Sequence, residues 1–255
     1  MTIVAERPRI AETADAIRAQ FNYIVDTGVP PVRYIDWPEM AHKAIDPQYR
    51  QHEMSVRNGR PLRDTFDIDT HGFVFVDHHT QVRDFTDEAQ RASIYDAEVQ
   101  ALIKKHTGAS SVVVFDHTIR AVDHAVERGH RAPVRYVHND YTEASAPRRL
   151  RELLPEEADR LLAKRFAIIQ VWRPLKTIVR NPLAMADARS LAPEDLVVSE
   201  RRYPHRVGET YRLRYNPAHR WYQFPAMTPE EAIVFTVYDS LKDGRARFTP
   251  HTSFD

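Results

Sequence analysis

The chain has 255 residues, and its 36 Lys and Arg residues balance 36 Asp and Glu residues, so the formal net charge is zero. This balance excludes a strongly basic nucleic-acid-binding protein by bulk charge, although a local basic patch remains compatible with it. Cysteine is absent, which excludes disulfides, thiolate metal sites, iron–sulfur clusters and cysteine nucleophiles. Any metal site must therefore use His, Asp or Glu, and His is abundant with 13 residues.

Hydrophobic residues make up 42% and charged residues 28% of the chain, as in an average globular protein. The length fits one domain with an N-terminal extension, or one large and one small domain. The 7 glycines are scattered singly, so the usual dinucleotide-binding and P-loop motifs are missing. The charged N-terminal segment lacks a signal-peptide pattern, and the apolar runs are shorter than a bilayer span. We therefore expect a cytoplasmic protein without membrane partners.

The first 65 residues are predicted to form an extension that packs on the core. A helix is predicted over residues 9–25, because apolar residues recur there at helical spacing. These residues are Ile10, Ala14, Ile17, Phe21 and Ile24. The Pro-rich residues 27–38 predict an extended arm, and the polar residues 39–60 predict a surface loop or short helix.

Residues 66–255 are predicted to form the main domain. Alternating residues around Phe73, Phe75 and Val82 predict a hairpin or two short strands. A helix is predicted from the Thr86–Asp87 cap to Thr107. The β-branched stretch SSVVVFDHT at 110–118 predicts a strand.

The remainder is predicted to be mainly β with one helical insertion at 147–165, interrupted at Pro155. Short strands are predicted at 134–140, 166–175, 196–200, 209–216, 219–226, 231–240 and 246–254. Short strands separated by turn signals are typical of a sandwich, jelly roll or barrel rather than of βαβ units.

The sequence His138-Asn139-Asp140 is the sharpest local signal for chemistry. Residues i and i+2 of a strand face the same side, so His138 and Asp140 share a face with Tyr136. With a histidine from another strand, they would form the 2-His-1-carboxylate set of non-haem Fe(II) oxygenases. The motif alone is weak, because a surface Asp hydrogen-bonded to a neighbouring His has the same pattern.

Two later histidines are candidates for the third ligand. His251 follows the apolar segment EAIVFTVYDS, whereas His219 follows a Pro-containing turn near Trp221. We favour His251, and we interpret His219 as a turn residue that packs near the tryptophan.

Several stretches resemble the hydroxylase/desaturase family, which includes the cephamycin methoxylation component and gibberellin desaturase-like proteins. These stretches are GASSVVVFDHTIR, RYVHNDYT, IIQVWRPL, NPLAMADARS, HRWYQFPAMTPEEAIVFTVYDS and PHTSF. The resemblance covers roughly residues 66–255 and implies a mainly β double-stranded β-helix, or jelly roll, with flanking helices. It further implies that His138, Asp140 and His251 bind Fe(II), that 2-oxoglutarate is the co-substrate, and that a small molecule and O₂ are substrates.

Oxygenases of this kind usually place an Arg on the strand after the distal His, to pair with the far carboxylate of 2-oxoglutarate. The given sequence ends at Asp255, four residues after His251. We expect either that the sequence stops before this strand or that another residue holds the carboxylate. By composition alone, the substitutes are Arg120, Arg212, Arg214, Arg245 and Arg247.

Three more residues are predicted to line the co-substrate pocket. Gln170 and Trp172 share one face of a strand, where Gln170 would donate a hydrogen bond and Trp172 would form a wall. Tyr136 would donate a hydrogen bond to the co-substrate. The alternatives are a core aromatic for Trp172 and a strand-edge position for Gln170. The N-terminal arm and the 147–165 insertion are candidates for covering the pocket mouth.

Two other functions remain open at this point. A zinc hydrolase can use the same His/Asp/His set with a metal-bound water, and a jelly roll can be a non-catalytic accessory protein. A hydrolase triad of Ser110, Asp116 and His117 is disfavoured because no GxSxG motif is present. A homodimer is the most common assembly for such a protein.

Overall fold

The computed structural model describes residues 15–121 and 130–255, which form two β-sheets with helices at their periphery. The strands are β1 Ala16–Ile24, β2 Val32–Tyr34, β3 Tyr49–Asn58, β4 Phe73–Asp77, β5 His138–Asn139, β6 Ala167–Trp172, β7 Leu183–Ala186, β8 Leu196–Arg202, β9 Val207–Leu213, β10 Trp221–Gln223, β11 Glu231–Asp239 and β12 His251–Ser253. The larger sheet has nine strands in the order β1-β3-β10-β7-β12-β5-β9-β8-β2, and the smaller has the order β4-β11-β6.

The helices are short and lie between strands along the chain. They are α1 Glu88–Gln90, a π-helical turn Arg91–Tyr95, α2 Asp96–Thr107, α3 Ser145–Leu153 and α4 Ala158–Leu162, with 3₁₀ turns at Pro38–Lys43, Arg60–Thr65, Ala188–Ser190 and Pro193–Asp195. The predicted capping is observed, since the Asp87 side chain accepts hydrogen bonds from the amides of Ala89 and Gln90. The predicted interruption near Pro155 is observed as the break between α3 and α4. None of the described helices is long and apolar enough to cross a membrane.

The main apolar core is rich in aromatic side chains from both sheets. Phe73 and Phe235 come from the small sheet, and Met185 and Tyr222 come from the large sheet. Strand β11 is buried along all of its 9 residues, so apolar side chains occupy both of its faces, and its two charged residues, Glu231 and Asp239, lie at its ends. Two residues of β11 contact the strands that carry the candidate metal ligands: the Phe235 ring lies 4.9 Å from the His251 ring, and the Val237 carbonyl accepts a hydrogen bond from Asn139.

The prediction of a helix over residues 9–25 is wrong for the part that the structure describes. Residues 16–24 form strand β1, which pairs antiparallel with β3 along its length. Ala19, Phe21 and Tyr23 alternate inward, whereas Ile17 is 37% exposed. The aromatic residues therefore follow the two-residue period of a strand, and the apparent helical spacing depended on Ile17.

The prediction of a loop or short helix over residues 39–60 is also wrong in its second half. After one 3₁₀ turn, residues 49–58 form β3, in which Met54 and Val56 alternate inward. The remaining side chains of this strand are charged or polar, so the sequence shows too few apolar residues to reveal the two-residue period of a strand. Strands β2 and β7 were missed because they are only 3 and 4 residues long.

The predicted strand over residues 110–118 is not formed. Val112 and Val114 pack against the apolar cluster around α2, but these residues pair with no described strand. β-branched side chains favour a sheet environment, but a ladder also needs a neighbouring strand edge. The predicted hairpin near Phe73 is likewise the single strand β4, with Val82 buried outside it.

Candidate metal centre

The structure brings His138, Asp140 and His251 together on the large sheet. His138 and His251 are paired residues of the antiparallel strands β5 and β12, and their ring centroids are 4.4 Å apart. Nε2 of His138 lies 3.7 Å from Oδ1 of Asp140, and Nε2 of His251 lies 3.5 Å from Oδ2. The three potential ligand atoms lie within 4.8 Å of one another. One ion can therefore contact all three.

Backbone carbonyls orient both imidazole rings. Nδ1 of His138 donates to the carbonyl of Tyr136 at 2.9 Å, and Nδ1 of His251 donates to the carbonyl of Thr249 at 3.1 Å. A proton on Nδ1 leaves the Nε2 lone pair free, and both Nε2 atoms point to Asp140. Each histidine thus uses the carbonyl two residues before it to fix the tautomer that a metal requires.

The pKa shifts favour the protonation states that bind metals. Burial lowers the pKa of His138 well below its usual value, and the neighbouring His251 ring lowers it further. Burial alone would raise the pKa of Asp140, but the neighbouring His251 and His138 rings and the Gln170 amide outweigh it and hold that pKa well below its usual range. A neutral imidazole beside a charged carboxylate is the ligand form of this donor set.

Two of the three residues predicted to line the co-substrate pocket lie beside the triad. Gln170 donates from Nε2 to Oδ2 of Asp140 at 2.5 Å. The Tyr136 ring lies 5.4 Å from the His138 ring between centroids. Trp172 is partly buried and packs against the main apolar core, as the alternative interpretation expected. The roles of all three in co-substrate binding stay predictions.

Sequence reasoning missed Asn139, the residue between the first two candidate ligands. Its fully buried amide donates to the carbonyls of Tyr141 and Val237 at 2.8 Å each. Its Oδ1 accepts a hydrogen bond from the amide of Thr249 at 3.1 Å. Asn139 therefore ties β5 to β11 and to the residue that orients His251. A polar residue between two inward-facing ligands on a strand was the available signal.

Gly72 supports the same corner of the site. Its carbonyl accepts a 3.0 Å hydrogen bond from the Thr249 hydroxyl, and its φ of +89° lies in the left-handed region. A Cβ at this position would lie 2.2 Å from the Thr249 hydroxyl. The close approach and the positive φ both require glycine here.

His219, the alternative third ligand, lies in a separate buried network. The Trp221 indole donates to the Tyr23 hydroxyl at 2.9 Å, and this hydroxyl lies 3.1 Å from Nδ1 of His219. Nε2 of His219 then donates to Asp195 at 3.0 Å. Both ring nitrogens are used, which leaves this imidazole no lone pair for a metal.

The other predicted constellations separate in the structure. His117 pairs with Asp96 on α2 at 2.7 Å rather than with a serine. Of the five arginines considered for a co-substrate carboxylate, three pair with acidic side chains. Arg214 pairs with Asp26, Arg245 with Asp69 and Asp243, and Arg247 with Glu143. Arg120 and Arg212 form no ion pair within the described residues.

Comparisons with known proteins identify the family of this chain. Residues 21–255 match the family described as oxidoreductase/YMDC permease-like domain. Hydroxylase/desaturase CTB9 of Cercospora beticola is 35% identical over 232 residues, which cover 81% of this chain and 71% of the relative. Hydroxylase/desaturase efuI of Hormonema carpetanum is 32% identical over 278 residues, which cover 100% of this chain and 91% of the relative.

The solved structure of the iron and alpha-ketoglutarate-dependent endoperoxidase NvfI superposes with a TM-score of 0.85 at 27% identity, covering 95% of this chain and 91% of that chain. The predicted jelly-roll class is thereby confirmed. The chain belongs to the hydroxylase/desaturase family, within the Fe(II)- and 2-oxoglutarate-dependent oxygenases.

Proposed function

We propose that His138, Asp140 and His251 hold Fe(II) in this enzyme, which oxidises a small organic molecule. The convergence of the three ligand atoms within 4.8 Å carries this assignment. Both Nε2 atoms face the Asp140 carboxylate, and both Nδ1 atoms are hydrogen-bonded to backbone carbonyls, so the residues present fit the ion. When bound, iron with this donor set keeps open positions for 2-oxoglutarate and O₂ and couples formation of succinate and CO₂ to oxidation of the substrate.

The residues around the ligands position them and keep water out. The His138 side chain is 4% exposed and that of His251 8%, so little solvent reaches their rings. Phe235 from the small sheet covers His251, with ring centroids 4.9 Å apart. Gln170 holds the Asp140 carboxylate from the same sheet. Low water access protects a reactive site from side reactions.

The expected reaction is hydroxylation or desaturation in secondary metabolism. A zinc hydrolase using the same residues would need no O₂, and an accessory protein would release no succinate. We also propose a cytoplasmic homodimer without nucleic-acid or membrane partners. In the same proposal, residues 66–255 form the main jelly-roll domain, and the 147–165 insertion covers the pocket mouth. Strands β1, β2 and β3, from the segment predicted to be an extension, belong to the large sheet of that domain.

The direct test measures Fe(II) binding together with O₂ uptake and succinate release from 2-oxoglutarate. His138→Ala is expected to abolish metal binding and succinate formation together. His79→Ala is the control, because His79 is an exposed histidine that pairs with Glu230 on the surface. Succinate formation that survives in His138→Ala would contradict the assignment, and turnover without O₂ would favour the hydrolase.

A further inference from the structure

Tyr23 lies at the centre of a buried series of hydrogen-bonded side chains. Its hydroxyl accepts a 2.9 Å hydrogen bond from the Trp221 indole and lies 3.1 Å from Nδ1 of His219, whose Nε2 donates to Asp195. Because Nε2 of His219 donates, Nδ1 carries the lone pair and accepts a hydrogen bond from the Tyr23 hydroxyl. Apolar side chains of similar size would pack here without the cost of burying polar groups, so packing alone does not account for this network.

The surroundings of the Tyr23 hydroxyl favour reversible one-electron oxidation. A phenol that loses an electron becomes a strong acid, so its oxidation is easier when a base already accepts its hydrogen bond. Nδ1 of His219 is this base, and the Asp195 carboxylate stabilises the imidazolium that forms. Burial raises the pKa of Tyr23, so the phenol keeps its proton before oxidation. Burial also lowers the pKa of His219, which leaves its ring neutral and able to accept that proton.

Trp221 connects this pair with the strands of the metal centre. His251 on β12 pairs with Met185 on β7, and Met185 pairs with Tyr222 on β10. Strand β10 is therefore two strands from a ligand strand, or about 10 Å at the usual strand spacing. Trp221 is the next residue to Tyr222 and projects to the opposite face, into the apolar cluster that also contains Tyr23. An electron can cross such a separation through packed side chains without movement of either group.

Tyr215 gives the series an outer end at the surface. Its ring lies 5.5 Å from the Tyr23 ring between centroids, and the residue is 40% exposed. On the inner side, the Tyr23 ring lies 6.5 Å from the Trp221 ring, and both residues are 0% exposed. Three oxidisable side chains thus form a continuous path from the interior of the large sheet to solvent.

We propose that Trp221, Tyr23 and His219 form a redox relay that protects this enzyme when its iron is oxidised and no substrate is present to react. This inference rests on the proposed oxygenase function and goes beyond it. Reaction of O₂ with 2-oxoglutarate oxidises the iron above Fe(II), and substrate oxidation normally consumes that oxidising power. Without substrate, the nearest side chains of the protein are at risk of oxidation.

The relay returns one electron to the iron at a time. Trp221 gives the electron and recovers it from Tyr23, keeping its own indole proton. The O–H bond of Tyr23 breaks, Nδ1 of His219 gains the proton, and the iron falls by one oxidation state. A reductant in solution, such as ascorbate, then supplies an electron through Tyr215, and the proton returns from His219 to Tyr23.

The first experiment uses the protein loaded with Zn(II), which has no redox chemistry and needs no turnover. An ultraviolet laser flash ejects an electron from tryptophan, and transient absorption follows the transfer of the radical to tyrosine. We expect a transfer phase that disappears in Trp221→Phe and in Tyr23→Phe. His219→Gln can replace both hydrogen bonds but takes up no proton. A positioned proton acceptor contributes about 10²–10⁴-fold to a rate, so this variant should slow the phase at least about 100-fold.

Tyr95→Phe is the matched control. Tyr95 is also buried, at 6% exposure, but it packs against Phe85 in a different apolar cluster, so its loss should leave the phase unchanged. In the unmodified protein the phase should slow in D₂O, because the proton moves with the electron, and this measurement needs no variant. A phase that survives in Tyr23→Phe, or a rate that neither His219→Gln nor D₂O changes, would refute the relay.

The second experiment tests protection in the Fe(II) protein exposed to 2-oxoglutarate and O₂ without substrate. Electron paramagnetic resonance of rapidly frozen samples detects a tyrosyl radical, and mass spectrometry counts oxidised side chains per succinate released. We expect Tyr23→Phe to lose the radical and to oxidise its own side chains several-fold more than Tyr95→Phe does. Equal self-oxidation in the two variants would refute the protective role. If the unmodified protein releases no succinate, the proposed function fails, whereas the result with Zn(II) is independent of it.

Discussion

The Gln170 amide donates a 2.5 Å hydrogen bond to Oδ2 of Asp140, and this bond connects the small sheet with the metal centre on the large sheet. Asp140 follows the last residue of β5, so its own strand does not hold it in a ladder. The amide restricts the rotation of the carboxylate and leaves Oδ1 facing His138. Gln170 is therefore a positioning residue for the candidate metal ligand.

Replacing Gln170 with Leu is expected to weaken metal binding without removing a ligand. Loss of a hydrogen bond that orients a metal ligand typically costs 10- to 100-fold in affinity, so we expect a loss of about that size. Anaerobic Fe(II) or Mn(II) titration measures it. Gln90→Leu is the control, because Gln90 also donates an amide hydrogen bond to a carboxylate, that of Asp87 at 3.0 Å, and neither residue belongs to the candidate metal centre. An unchanged dissociation constant in Gln170→Leu would contradict the positioning role.

Asn139→Ala is expected to destabilise the fold by about 3 kcal/mol, since three buried hydrogen bonds of about 1 kcal/mol each are lost. Urea unfolding of the metal-free protein measures this loss in the free energy of unfolding. Metal affinity should also fall, because Thr249 loses the contact that fixes it beside His251. Asn22→Ala removes an amide that bonds the carbonyl of Arg135 at the surface, and it should cost less than 1 kcal/mol. Equal costs for the two variants would refute the account of Asn139.

His219→Ala should lower stability but leave the metal site intact. The substitution leaves the Tyr23 hydroxyl and the Asp195 carboxylate without their buried partner, and we expect a loss of about 3 kcal/mol. Thermal unfolding with and without metal measures the stability, and metal analysis measures the stoichiometry. Loss of one bound metal per chain in His219→Ala would show that the third ligand had been misassigned.

The ion pair of Arg60 with Glu231 predicts a specific pH dependence of stability. Arg60 donates to both carboxylate oxygens of Glu231, at 2.7 and 2.9 Å. Burial alone would raise the pKa of Glu231, but this pairing outweighs it, so the pKa is lowered. A lowered pKa in the folded state adds stability above the unfolded pKa of about 4.3, and this stability is lost as pH falls through the folded value.

Glu231→Gln should therefore be less stable than the unmodified protein by about 3 kcal/mol at pH 6, with the gap narrowing below about pH 4.3. Urea unfolding at a series of pH values measures the difference in the free energy of unfolding between the two proteins. Other titrating groups contribute equally to both proteins, so their contributions cancel in this difference. Glu53→Gln is the control, since the Arg18–Glu53 pair is exposed and 3.7 Å apart. A gap that stays constant with pH would exclude this ion pair as its source.

Local periodicity predicted much of the fold from the sequence. Strands such as β6 and β11 are apolar runs bounded by turn signals, and α2 has both a cap and a helical apolar face. One wrong prediction arose where both a helical and a two-residue strand period fit the same residues, as at Ile17 and Phe21 in β1. Another arose at residues 110–118, where strand propensity was present but a pairing edge was not.

The candidate triad was predictable because two of its residues are local to each other. His138 and Asp140 are separated by one residue, and a strand puts them on one face. The choice of His251 over His219 came from sequence order and family resemblance. The sequence could not predict that Arg212 forms no ion pair within the described residues. The presence of a partner depends on which carboxylates lie near Arg212 in the folded chain.

The most direct test of the account is an anaerobic titration of the protein with Fe(II) and 2-oxoglutarate, followed by visible absorption. The account predicts a weak charge-transfer band when both are present, because the keto acid then chelates protein-bound iron. The band should disappear in His251→Ala and persist in His79→Ala. Absence of the band from the unmodified protein with iron bound, or its survival in His251→Ala, would contradict the proposed metal centre.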